Sequence, residues 1–234
     1  MMPGGMQLLT VSDELVQSIV REVAPLVEQL TNWPLGIESL RCRVLAKDQG
    51  YEEVIVGRLR GAGVAVDDAE SRNLLDRILE YIIEGVVLAA YQPATQELLV
   101  IRENVDESNL DGLRLVVGHE LVHRGQHLRY PELFCRIDQV IAEVFNNPLG
   151  LPTIIVRVAE LKPLMTLLES HAHYVQEQLR QQFFPEAVIE HHFNLPAVLM
   201  RVFGGGKLAQ YKEGVPMVAR AVAQGHLDRL FQEL

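Results

Sequence analysis

The stretch Gly118 to His127, GHELVHRGQH, constrains this chain more than any other, because His119-Glu120-Leu121-Val122-His123 spells HEXXH inside a strongly helical segment. Two histidines four residues apart lie on one helix face, one turn above the other, so both imidazoles can grip one zinc ion. Glu120, beside the first of them, can reach the water that such an ion activates and take its proton. The pattern points to a zinc metallohydrolase, most often a peptidase. Asp106, Ser108 and Asp111 form an acidic, cap-competent start, and Leu110, Leu113, Val117 and Leu121 recur at helical spacing. Both histidines are therefore predicted on a formed helix.

Two histidines leave zinc incomplete, since a catalytic site takes a third protein ligand and keeps a position open for water. The metzincin continuation would place Gly and His where this chain has Gln126 and Arg129. That class is excluded. His127 continues the spacing, but on a straight helix it lies about two turns from His119, too far for one tetrahedral ion. The third ligand is expected from a later helix, and two glutamates compete. Glu143 lies in VIAEVFNN at a thermolysin-like distance from His123. Glu169 opens the cluster Glu169-Ser170-His171-Ala172-His173-Tyr174, between Met165, Leu167 and Leu168 on one side and Val175 on the other. Metal-competent side chains inside so apolar a helix favour Glu169, because burial of unpaired polar groups is costly.

The segments GHELVHRGQ, LLESHAHYVQ and GGGKLAQYKEGVPMVARAV, in this order, resemble the zincin-like metallopeptidase family associated with deazaflavin-cofactor biosynthesis. That family carries HELTHxxQ-like, LLEGHAxYVM-like and KxxQYxxGxxFV-like motifs, and the likeness runs over roughly residues 86 to 232; Ser170 stands where the family has Gly. The resemblance implies His119, His123 and Glu169 as zinc ligands and Glu120 as general base. It places His171 where the family has the His of its EGHA-like segment, for an oxyanion or for orienting Glu169; His173, one turn after Glu169, is the other candidate for that orienting contact. In the third motif Tyr211, with Lys207 and Gln210, is either a phenol donor to an oxyanion or part of a structural clasp that closes the C-terminal helices on the active-site helix.

Composition bounds the partners. The chain has 234 residues, 48% hydrophobic and 22% charged, enough for one large domain or two small lobes around a cleft. A net charge of -10 with no Lys/Arg-rich stripe argues against nucleic acid and gives no support for docking on an anionic membrane. Cys42 and Cys135 are far apart and lack CxxC spacing, so neither a disulfide framework nor a cysteine zinc site is expected. The N-terminal residues lack a signal-peptide pattern and no apolar run is long enough to span a bilayer, so a soluble, cytoplasmic protein is expected.

Periodicity predicts an α+β, mostly α, fold with a β-hairpin before the HEXXH helix and a helical C-terminal half; the resemblance implies a zincin-like arrangement with the small sheet above that helix. Helices are expected at 12–30, with a kink or break at Pro25, at 48–60 and at 67–84; a strand is expected over Ile37 to Ala46 with Leu40, Cys42, Val44 and Ala46 on one face. Val86 to Tyr91 and Glu97 to Arg102 read as a hairpin around Gln92-Pro93-Ala94-Thr95-Gln96. Helices at about 131–145, 152–182, 185–202 and 215–232 follow. Residues 1–105 are expected to form the upper lobe and 106–234 the helical lobe carrying the metal site, as one catalytic domain. The leading expectation is a zinc-dependent hydrolase of peptide bonds. A non-proteolytic zincin that uses the metal for stability or partner binding, and a zinc hydrolase of a small amide, are the alternatives.

Overall fold

The computed structural model describes residues 10–66, 88–146, 156–157, 159–188 and 207–233; the side chains of 51, 55 and 207–213 fall outside the described set. The expected helix at 67–84 lies outside it, as does most of 185–202. Helix α1 (Asp13–Thr31) starts at Ser12, whose hydroxyl accepts from the Leu15 amide, and stops at Asn32 in the left-handed conformation. It does not break at Pro25. Its buried face, Val16, Ile19, Val20, Val23 and Val27, repeats at three to four residues.

Strand β1 (Arg41–Leu45) is shorter than expected, because Ile37–Ser39 forms a 3-10 turn instead. It lies between two apolar clusters, with Cys42 facing one and Leu45 the other, so Val44 is only half-buried. Both cysteines are free thiols. The helical stretch expected at 48–60 is present in three registers: α2 (Lys47–Gly50), a π-helical run Tyr51–Val56 and α3 (Gly57–Gly61). The hairpin strands are β2 (Ala89–Gln92) and β3 (Glu97–Ile101). The sheet order is β1-β3-β2, with β1 parallel and β2 antiparallel to β3. Central β3 is apolar on both faces: Leu98 and Val100 enter one cluster, Leu99 and Ile101 the other. The outer edge of β1 is met by Asp13 of α1, which accepts the Val44 amide at 2.6 Å.

Helix α4 (Leu110–Arg129) carries the HEXXH residues, and its cap is Asn109 rather than the acidic residues before it: the Asn109 side chain accepts from the Gly112 amide at 2.9 Å. Every residue from Leu115 to Gln126 is buried. Gly118 makes this possible, since a Cβ there would stand 2.5 Å from Leu179 and 3.3 Å from Val23. Helices α5 (Pro131–Asn146), α6 (Lys162–Phe183), α7 (Lys207–Ala223) and α8 (Leu227–Gln232) complete the described elements. Three expected helices are corrected: the one expected at 152–182 is interrupted by a turn at Leu161 and runs on from Lys162. Residues 185–188 are not helical, and the expected 215–232 helix is two, separated at Gly225 with φ +69°, a conformation that ends helices. The result is a mostly helical α+β fold with a small open sheet, consistent with a zincin. Among the described residues, no helix is long and apolar enough to cross a membrane.

Candidate metal centre

A helix buried on all sides normally carries apolar residues throughout, yet α4 buries His119, Glu120, His123, Arg124 and Gln126 in its middle. Most of their polar atoms have compensating hydrogen bonds. The Arg124 guanidinium, 1% exposed, donates to the carbonyls of Leu35 at 2.7 Å and Gly36 at 2.8 Å and to Ser39 Oγ at 2.8 Å, tying α4 to the α1–β1 connection.

His119 and His123 turn their Nε2 atoms toward each other, 3.2 Å apart. Glu169, 1% exposed on α6, brings Oε1 to 3.4 Å from His123 Nε2 and Oε2 to 3.7 Å from His119 Nε2. Ligands on a tetrahedral zinc with bonds of about 2.0–2.2 Å stand about 3.3–3.6 Å from one another. The separations between the two imidazoles and the Glu169 carboxylate are close to that range. His119, Glu120 and His123 form a buried zincin-like metal-binding motif, with ligand atoms within 4.8 Å of one another. Glu120 is also held from outside the helix: its Oε2 accepts the Tyr91 amide of β2 at 2.8 Å.

Behind His123 lies a relay that the motif alone does not reveal. Gln126 Oε1 accepts from His123 Nδ1 at 2.8 Å, which leaves His123 Nε2 turned toward the cluster. The Gln126 amide donates in turn to the Leu168 carbonyl at 2.9 Å and to His171 Nδ1 at 3.1 Å. Burial opposes a charge on His123, but the nearby Glu169 and Glu120 carboxylates and the Gln126 hydrogen bond outweigh it and raise its pKa to about 9. Burial, then the charge on His123, push His171 down to about 3, so its ring is neutral.

His171 packs against Trp33 at 4.9 Å and Phe231 at 5.6 Å between ring centroids, and is not among the residues lining the cavity beside the cluster. His173, one turn after Glu169, is half-buried, and its charge acts on Glu177. His127 Nδ1 bonds the Tyr91 hydroxyl at 2.9 Å. Glu143 lies away from the cluster, paired with Arg157 at 2.7 Å.

Tyr211 lies on α7, whose first residues have side chains outside the described set; the same helix carries Gly214. A Cβ at Gly214 would stand 1.9 Å from Ser170 Oγ. The third sequence motif therefore places α7 in close contact with α6, one residue from Glu169. A cavity of about 60 Å³ adjoins Glu120, His123 and Glu169, with Val54, Phe134, Ile137, Met165 and Leu168 among its apolar walls and Arg58, Tyr91 and Gln92 among its polar ones.

Comparison with family models, curated proteins and solved structures finds no match. Nothing among the described residues links the motif to a deazaflavin.

Proposed function

We propose that the chain is a zinc-dependent hydrolase of amide bonds, foremost a peptidase. The observation that carries this reading is the convergence of His119, His123 and Glu169, at 3.2 to 3.7 Å, beside a glutamate anchored by a different strand. Structural zinc sites close with four protein ligands, whereas catalytic ones use three and leave a position open. With Glu120 read as the base rather than as a ligand, His119, His123 and Glu169 are three.

In this reading His119, His123 and Glu169 hold the ion. Bound zinc supplies a Lewis acid for the scissile carbonyl and acidifies the attacking water. Glu120 takes the water proton on Oε1, the carboxylate oxygen not bonded to Tyr91, and returns it to the leaving amine. Gln126 holds His123 in the tautomer that a metal needs, and His171 acts through Gln126. Tyr211 is the candidate phenol donor to the oxyanion.

Purified protein should hold about one zinc per chain and cleave members of a diverse peptide library. Glu120→Gln should keep the zinc and lose the cleavage, since general-base catalysis is worth roughly a hundred- to ten-thousand-fold in rate. Equal cleavage by both proteins, insensitive to chelator, would mean a contaminating protease. No cleavage by zinc-loaded wild type would turn the reading toward a binding or structural zincin.

A further inference from the structure

Arg58 is a cation that the hydrolytic scheme does not use. It sits on α3, is 7% exposed and lines the same cavity as Glu120, His123 and Glu169. One side of its guanidinium, Nη2, pairs with Asp138 of α5. The other, Nη1, is buried with no hydrogen-bond partner among the described residues, and Asp138 Oδ1 beside it has none either, so the ion pair leaves a donor and an acceptor unsatisfied. A guanidinium cannot shed its proton, so a buried Nη1 without an acceptor is a standing cost that an anionic ligand would remove. After burial, the Arg58 charge is the strongest influence holding His127 below its ordinary pKa.

Apart from Tyr91 and Gln92, the remaining lining is what a short apolar group would contact, including Val54, Ala90, Phe134, Ile137, Met165 and Leu168. At about 60 Å³ the cavity has room for one modest side chain rather than for several consecutive ones. Resting on the hydrolase reading above, we propose that Arg58 binds the free α-carboxylate of the substrate, so that the site takes short peptides or N-acyl amino acids ending in an apolar residue. The bond broken is the C–N bond of the last amide. Water supplies the hydroxyl to the acyl carbon and a proton to the departing amino group, which leaves as part of a free amino acid. Arg58 and its planar, doubly donating fork suit a carboxylate better than a lysine would.

The test compares N-acetyl-alanyl-leucine with its C-terminal amide as substrates of zinc-loaded protein. Wild type should favour the acid at least about tenfold in kcat/KM, mainly through KM, and in Arg58→Gln the ratio should fall toward one. Because Arg58→Gln leaves Asp138 without its partner and can unfold the chain, the double variant Arg58→Met/Asp138→Leu removes the pair together, with circular dichroism to check the fold. Direct binding of both compounds to zinc-loaded Glu120→Gln, by calorimetry, separates recognition from turnover. Turnover of acid and amide at equal rates by wild type would overturn the carboxylate site and leave the hydrolase reading standing. Absence of turnover with acid-selective, Arg58-dependent binding would do the reverse. A lower melting temperature in the Arg58 variants with an unchanged acid-to-amide ratio would make the residue a structural ion pair only and end the proposal.

Discussion

Gln126 Oε1 accepts a hydrogen bond from His123 Nδ1 at 2.8 Å, while the same side chain donates to His171 Nδ1 at 3.1 Å, so one buried amide sets the orientation of two imidazoles on two helices. Its Oε1 must face His123 and its nitrogen His171, because reversing the amide would forfeit the bond to the Leu168 carbonyl as well. Partners of this kind typically govern metal affinity by ten- to a hundredfold. Gln126→Leu should therefore weaken zinc binding by about that factor in competition with a chelator, without removing any ligand. Gln126→Glu, which keeps an acceptor for His123, should lose less.

His123 carries its proton at neutral pH when its pKa stands at about 9. Zinc must displace that proton. Zinc binding near pH 7 should release about one proton per ion, and apparent affinity should climb with pH until about 9. Calorimetry in buffers of differing ionisation enthalpy reads the proton count directly. In the metal-free protein the raised pKa adds stability that is complete below about 6.5, the ordinary value, and is lost as pH rises through the folded value. Metal-free protein should melt progressively lower from neutral to alkaline pH, and His123→Gln should flatten that slope.

The two histidines and Glu120 are legible in the sequence because helix geometry alone brings residues four apart together. Glu169 is legible for a different reason: metal-competent side chains interrupt an apolar helix, and burial makes such an interruption expensive unless it is used. Gln126 gives a weaker signal, a polar residue one turn beyond His123, recognisable only once α4 is known to have no solvent face. Arg58 gives none, since its place beside the cavity depends on how α3 packs against α5, a contact between residues about eighty positions apart. Nor does periodicity show the π-helical run at Tyr51–Val56 or the interruption at Gly225, where one backbone conformation rather than a hydrophobic pattern decides the element.

His171 is buried neutral, with its pKa pushed down to about 3. Unfolding returns it to about 6.5, so below that pH the unfolded chain gains a proton that the folded chain refuses. Stability should fall as pH drops, by about 2 kcal/mol at pH 5 from this group alone. Urea titrations of metal-free protein at pH 7 and pH 5 measure the difference, and His171→Asn should reduce it. A difference unchanged in that variant would assign the acid sensitivity to other groups.

The contact of Gly214 with Ser170 decides how closely α7 lies over the helix that carries Glu169. A methyl group at position 214 would stand 1.9 Å from Ser170 Oγ and 2.8 Å from its Cβ, so that the hydroxyl must rotate and the two helices must give at this contact. Gly214→Ala should cost about 1–3 kcal/mol, the usual range for overpacking, and should also lower zinc affinity by moving the backbone next to Glu169. Ser170→Gly in the same chain removes both atoms of the clash, at the expense of about 1 kcal/mol for a glycine inside a helix. The double variant should therefore recover zinc affinity more fully than stability, with a coupling between the two positions of about 0.5–3 kcal/mol in a thermodynamic cycle. Strictly additive effects would mean that the two helices do not meet at these residues, and the clasp at the third motif would have to lie elsewhere.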